Sequence, residues 1–178
     1  MMRPARALLP LLLLPVLLTG CGAGEDGGAA AGLDDAARDW GVEPELVHVT
    51  EVSGYRVFQA SVGEYDGQFA AAYRSEKGAA TFGLFVDHGT LTAENCTEQP
   101  LGEGSGEQVT CEHDGDAWYR TAGARHEYAV PDDGVVVHLI ADTDDVDRAV
   151  LRQAAEAVHR PDDAELAALL PAADGTGT

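Results

Sequence analysis

The chain has 178 residues, with 11 Lys and Arg against 31 Asp and Glu, and a formal net charge of −20. That excess of acid excludes nucleic acid and an anionic lipid face as partners, since both are bound by Lys and Arg. A hydrophobic share of 45% excludes a disordered acidic tail and is enough for one core, so a single domain is expected.

The first six residues, Met1 to Arg6, are basic, and an apolar run follows from Ala7 to Leu18 (ALLPLLLLPVLL). This is the plan of a secretory signal. The run falls short of the ~20 residues a bilayer span needs, and Pro10 and Pro15 weaken a spanning helix further. Its end, Leu18-Thr19-Gly20-Cys21, resembles the lipobox of bacterial lipoproteins. The resemblance implies that the Cys21 sulfur takes a diacylglyceryl group, that residues 1–20 are removed, and that the mature chain sits on the outer face of the cell membrane. Two acyl chains, at ~0.8 kcal/mol per buried CH₂, make a firm anchor. The alternatives are an ordinary secretory signal with an incidental cysteine, or an uncleaved anchor.

With Cys21 taken by lipid, Cys96 and Cys111 remain as one pair in a compartment where disulfides persist. A bridge between them would contribute on the order of 3 kcal/mol by restricting the unfolded chain. A metal or redox pair is the weaker reading, because the spacing is not C-x-x-C and no second pair exists.

The segment 21–32 (CGAGEDGGAAAG) is expected to be a flexible tether of roughly 20 Å, and 33–171 the domain. Leu33, Ala36, Ala37 and Trp40 share a helical face, which Gly41 would end. From Leu46 the period shortens to two. Strands are expected over Tyr55–Ser61, Gln68–Arg74, Ala79–Val86, Gln108–Cys111, Trp118–Thr121, Arg125–Val130 and Val135–Ile140. Between them recur Asp66-Gly67, Lys77-Gly78, His88-Gly89, Asp114-Gly115, Ala122-Gly123 and Asp133-Gly134, the chemistry of tight hairpins. Such short links join antiparallel neighbours only. A helix over 143–159 follows, opened by the acids of Asp142–Asp147. Asp162 and Glu165 have capping-box spacing for a second, shorter helix, and residues 172–178 form a disordered tail. The expected fold is α+β: an antiparallel meander of about seven strands with a C-terminal helix on one face. The other face is left either solvated or curled around a cavity.

The segments 115–130 and 154–171 are similar to parts of uncharacterised membrane lipoproteins from high-GC actinobacteria. That resemblance implies an envelope protein and no particular activity.

The residues offer little chemistry. Ser105 in Gly102–Gly106 is one position off a G-x-S-x-G elbow, and His126-Glu127 has Val130 where H-E-x-x-H needs its second ligand. Asp142–Asp147 lacks the glycine of a calcium loop. His113, Asp114 and Asp116 cluster beside Cys111, but Asp114-Gly115 is already accounted for as a turn. No cofactor or metal is expected. One regional feature stands out: no Lys or Arg occurs between Lys77 and Arg120, and the 97–110 segment inside that stretch is acidic and aperiodic.

The expected function is a non-enzymatic binding or interaction module, held to the membrane through Cys21, with a basic or hydrophobic envelope partner. The alternatives are a carrier of a lipid or other hydrophobic ligand in a cavity between sheet and helix, and an envelope hydrolase with a scattered site around His113 or His126.

Overall fold

A computed structural model describes residues 26–102 and 106–169. The signal segment, Cys21, the start of the tether, Glu103 with Ser105, and the tail 172–178 lie outside the described residues. In chain order the elements are α1 (Asp26–Trp40), β1 (Tyr55–Val57), β2 (Gly63–Tyr65), β3 (Gln68–Ser75), β4 (Thr81–His88), β5 (Thr110–Asp114), β6 (Ala117–Ala122), β7 (Arg125–Asp132), β8 (Val135–Asp142), α2 (Arg148–Glu156) and α3 (Asp163–Leu169). The fold is α+β.

All pairings in the sheet are antiparallel, in the order β1-β3-β4-β8-β7-β6-β5, and β2 pairs the first half of β3 on the same edge as β1. Two hairpin meanders are therefore set side by side, β2-β3-β4 and β5-β6-β7-β8. A crossover, residues 89–109, carries the chain from β4 in mid-sheet to β5 at the far edge. The expected meander holds within each half. At the seam β4 pairs β8, with Phe85 opposite His138 and Gly83 opposite Ile140. The hairpins turn where Asp-Gly was expected to turn them. Asp66 and Gly67 have φ of 52° and 80°, and Asp133 and Gly134 have 38° and 90°, the two successive positive values of a type I′ turn.

Period two decides what each strand buries. In β4, Phe82, Leu84 and Val86 face the helices, and Gly83, Phe85 and Asp87 face the other way. Val135, Val137, Leu139 and Ala141 of β8 and Phe69, Ala71 and Tyr73 of β3 complete the helix-side core, with Leu151 and Ala154 of α2. Tyr73 stacks on Phe82 at 5.0 Å between ring centroids, and Trp40 of α1 tilts over Phe69 at 5.8 Å. Each fully buried Leu or Phe contributes ~1.5–3 kcal/mol by leaving water.

Three elements depart from expectation. Helix α1 begins at Asp26, inside the expected tether, rather than at Leu33. Ala29–Ala31 have the highest helix propensity, and α3 docks beside Gly32, whose missing Cβ would lie 3.6 Å from Leu166. Helix α2 begins at Arg148 and ends at Glu156, shorter than 143–159. The Asp142 carbonyl accepts from the amides of Asp145 and Val146 in a turn, and the Thr143 amide donates to Ala124, so Asp142, Asp144 and Asp145 go to a turn while Asp147 stands at the N-cap. At its far end the backbone of His159 exchanges two hydrogen bonds with Val49, which stops the helix before Pro161. The strand expected over Tyr55–Ser61 stops at Val57; Gln59–Ser61 is a 3₁₀ turn, and the short β2 follows. The capping box at α3 is present: Asp162 Oδ1 accepts from the amides of Ala164 and Glu165, and the Asp162 amide donates to Glu165.

Candidate functional site

The far half of the second sheet face is covered by the crossover. Its Leu91 and Cys96 meet Ala129, Val136 and Trp118, and its Leu101 and Val109 meet Ala122 and Ile140. Cys96 and Cys111 are joined in a disulfide, tying the crossover to edge strand β5. The other half, over β3, β4 and β8, carries a groove of about 1000 Å³.

The groove exists because the residues beneath it are small. Its floor is built from cross-strand rows: Gln68 and Asp87; then Ala70, Phe85 and His138; then Ala72, Gly83 and Ile140; then Thr81. Alanine and glycine leave the pleated surface low. At Gly83 a Cβ would meet the Phe85 ring at 2.5 Å, so the ring lies down on the bare backbone two residues before it and forms an apolar floor. Tyr65, half exposed, closes one side at 6.2 Å from the Phe85 centroid, and Gln99, Pro100 and Gly102 of the crossover form the other. Asp66 and Asp142 stand on the rim with Arg125, which lies 3.8 Å from Asp142. A smaller cleft of about 500 Å³ lies beside α3. There the Tyr73 hydroxyl already accepts from the Thr50 amide, and Glu165 already holds His159 and the Asp162 amide.

A chain of charged side chains runs from the groove floor to the crossover. Gln68 donates to Asp87 at 2.8 Å, Asp87 lies 3.4 Å from His138 Nε2, and His138 Nδ1 is 2.6 Å from Glu127. Glu127 takes both oxygens to Arg120 Nη1, at 3.1 and 3.2 Å. Arg120 Nη2 donates to the carbonyls of Cys96, Gln99 and Pro100, three points on the crossover. Arg120 is 0% exposed, so its charge is tolerable only because Glu127 and these carbonyls surround it. Burial opposes a charged His138, but the carboxylates of Asp87 and Glu127 outweigh it and raise its pKa from 6.5 to about 9.

A pH dependence follows. The folded-state value is raised, so this stabilisation is complete below about pH 6.5, the unfolded value, and is lost as pH rises through about 9. Denaturation midpoints should fall between pH 6.5 and 9.5 in the wild type and flatten over that window in His138→Gln. An unchanged slope in the variant would assign the dependence elsewhere.

The residues singled out in the sequence fall in different places. Trp118 and Tyr119, neighbours along β6, take opposite faces: Trp118 meets the crossover, and Tyr119 meets the helix-side core. His113 pairs in register with Trp118, and its ring meets that indole edge-on at 4.8 Å, whereas His126 shares the opposite face with Tyr119, whose hydroxyl is 3.2 Å from its Nδ1. The two histidines of the scattered hydrolase site are thus separated by the sheet. Asp114 is engaged by the Tyr128 hydroxyl at 2.6 Å and by Arg148 and Arg152 of α2, an arrangement that fastens α2 to the sheet edge. The Tyr128 hydroxyl first, and the two arginines against a cost of burial, hold the Asp114 carboxyl below its ordinary range. Among the described residues no group of three His, Cys, Asp or Glu gathers as a metal site. The smaller cleft lies on the helix side of the sheet, between β1 and β3 and helices α2 and α3, and the larger groove is on the opposite face. Sequence reasoning missed the groove, although its signal is visible: small residues at alternate positions, Ala70 and Ala72 in β3 and Gly83 in β4.

No family model, curated protein or solved structure matches this chain. Among the described residues no helix is long and apolar enough to cross a membrane.

Proposed function

We propose that this protein is a lipid-anchored envelope lipoprotein, attached through Cys21 on the outer face of the cell membrane, whose domain is a binding module rather than an enzyme. The observation that carries the binding reading is the groove over β3, β4 and β8. It is concave, floored by Phe85 and small residues, and rimmed by a few polar groups, the make-up of a ligand site. The anchor rests on the basic segment, apolar run and lipobox of the first 21 residues.

The test has two parts. Palmitate fed to producing cells should label the wild type and leave Cys21→Ala unlabelled; an unlabelled wild type removes the anchor. Native mass spectrometry of protein extracted from its envelope should show an adduct that Ala72→Leu, which fills the groove floor, displaces. An adduct indifferent to that change places the ligand elsewhere.

A further inference from the structure

We infer that the groove takes a short, extended, basic peptide segment, with cationic side chains at its two ends and apolar ones between; this deepens the reading of the groove as the binding site and rests on it. Charge, shape and length each argue for this occupant.

The groove face holds three carboxylates, Asp66, Asp87 and Asp142, against two cations, Arg125 and His138; Glu64, opposite Phe69 in register, belongs to the other face, and its carboxylate accepts from the Gly67 amide. Both cations are already used. Arg125 lies beside Asp142, and His138 is held between Asp87 and Glu127. Asp66 has no ion pair among the described residues, so the end of the groove at the β2–β3 turn is unneutralised. The 78–119 stretch, without Lys or Arg, supplies both β4 and the crossover wall, so no basic residue of theirs lies against the acids. An anionic or purely apolar ligand covering this end would leave the Asp66 carboxylate dehydrated without a cation, a cost of several kcal/mol if fully buried. A guanidinium or ammonium group would pair with it and would also lie against the faces of Tyr65 and Phe85.

The acids are arranged lengthwise. Asp66 and Asp87 sit at one end, Asp142 at the other, and Ala70, Phe85, Ala72, Gly83 and Ile140 lie between. From the Asp87 row to the Thr81 row is six residues along β4, or about 20 Å at ~3.4 Å per residue. An extended peptide presents alternate side chains to one side at the same repeat, so a heptapeptide places residues one, three, five and seven over the four rows. The central strands are already fully paired to their neighbours, so recognition must come from side chains rather than from an added strand.

The probe is acetyl-Arg-Ser-Leu-Ser-Leu-Ser-Arg-amide, titrated calorimetrically into the full lipidated protein in phosphatidylcholine nanodiscs. These are zwitterionic and do not attract the peptide themselves. Binding should weaken about tenfold or more when both arginines become citrulline, which keeps shape and removes charge, and should be absent with glutamate. It should weaken with added salt. Asp66→Asn, which suits the positive φ of that turn, and Asp142→Asn should each weaken it several-fold, while Asp116→Asn in the distant β5–β6 turn should not. Equal binding of the citrulline peptide overturns the charge argument and leaves the groove intact as an apolar site. Binding of octane-1,8-diamine with none of the peptide overturns a peptide as occupant. Failure of all these probes, with an envelope adduct still displaced by Ala72→Leu, overturns the inference alone; failure together with loss of that adduct overturns the groove reading as well.

Discussion

Arg120→Met should destabilise the domain by about 3–5 kcal/mol, the loss expected when one member of a buried ion pair is removed. Against a typical total of about 5–15 kcal/mol this is a large share. The cost has two sources. Glu127 is 1% exposed and would keep a buried carboxylate with His138 as its only cationic partner among the described residues. The carbonyls of Cys96, Gln99 and Pro100 would lose the donor that satisfies them. Arg120→Lys should fall between Met and wild type, because an ammonium on a flexible stem cannot reach Glu127 and three carbonyls from one planar fork. Arg120→Met combined with Glu127→Gln should recover part of the loss, since the uncompensated charge goes with the arginine. Urea midpoints measured at pH 6, where His138 is charged, would report all three. A loss below about 1 kcal/mol in Arg120→Met would mean that Glu127 is satisfied by His138 alone.

The same arginine shows which parts of the structure were legible in the sequence. Elements with a local cause could be read. Asp66-Gly67 and Asp133-Gly134 made type I′ turns because only Gly, Asn and Asp take successive positive φ cheaply, and the alternation of Phe82, Leu84 and Val86 with Gly83, Phe85 and Asp87 set the faces of β4. The capping box of Asp162 and Glu165 is equally local. The β4–β8 pairing is not local, because hairpin chemistry says only that neighbours in sequence are neighbours in space. Residues 97–110 are acidic and aperiodic, so the sequence does not mark which of their side chains are buried. Leu101 and Val109 are nevertheless buried, since a crossover buries whatever falls over the sheet rather than one stripe. Arg120, Glu127 and His138 carry no sequence signal of burial, because on an alternating strand a polar residue reads as outward until something is known to cover it. Cys96 and Cys111 were the local sign that something does. The helix α1 start at Asp26 and the α2 start at Arg148 were decided by α3 and by the Asp142 turn, neither visible in a helical window.

Removing the disulfide, as Cys96→Ser with Cys111→Ser, should cost about 3 kcal/mol from the restored freedom of a 15-residue separation in the unfolded chain. Loss of Cys96 from a fully buried position against Ala129 and Val136 adds to it. The structural consequence should be smaller than the energetic one. The bridge fixes Cys96 of the crossover to edge strand β5, whereas Arg120 of the neighbouring β6 fixes it at Cys96, Gln99 and Pro100, and Gln99 and Pro100 are the residues that wall the groove. The serine variant should therefore keep its groove wall, because Arg120 still holds Gln99 and Pro100, and gain protease sensitivity around positions 96 and 111, where the bridge was. Arg120→Met should show the reverse, with the bridge intact and the groove wall loosened. Limited proteolysis followed by mass mapping of the cut sites separates the two patterns. Identical cut sites in both variants would show that the crossover opens as one piece and that the two fasteners do not divide it. The two losses should also not simply add. Once either fastener is gone, the other holds a segment that already makes fewer contacts, so the triple variant should deviate from the sum by a measurable interaction energy, as expected for contacts sharing one element.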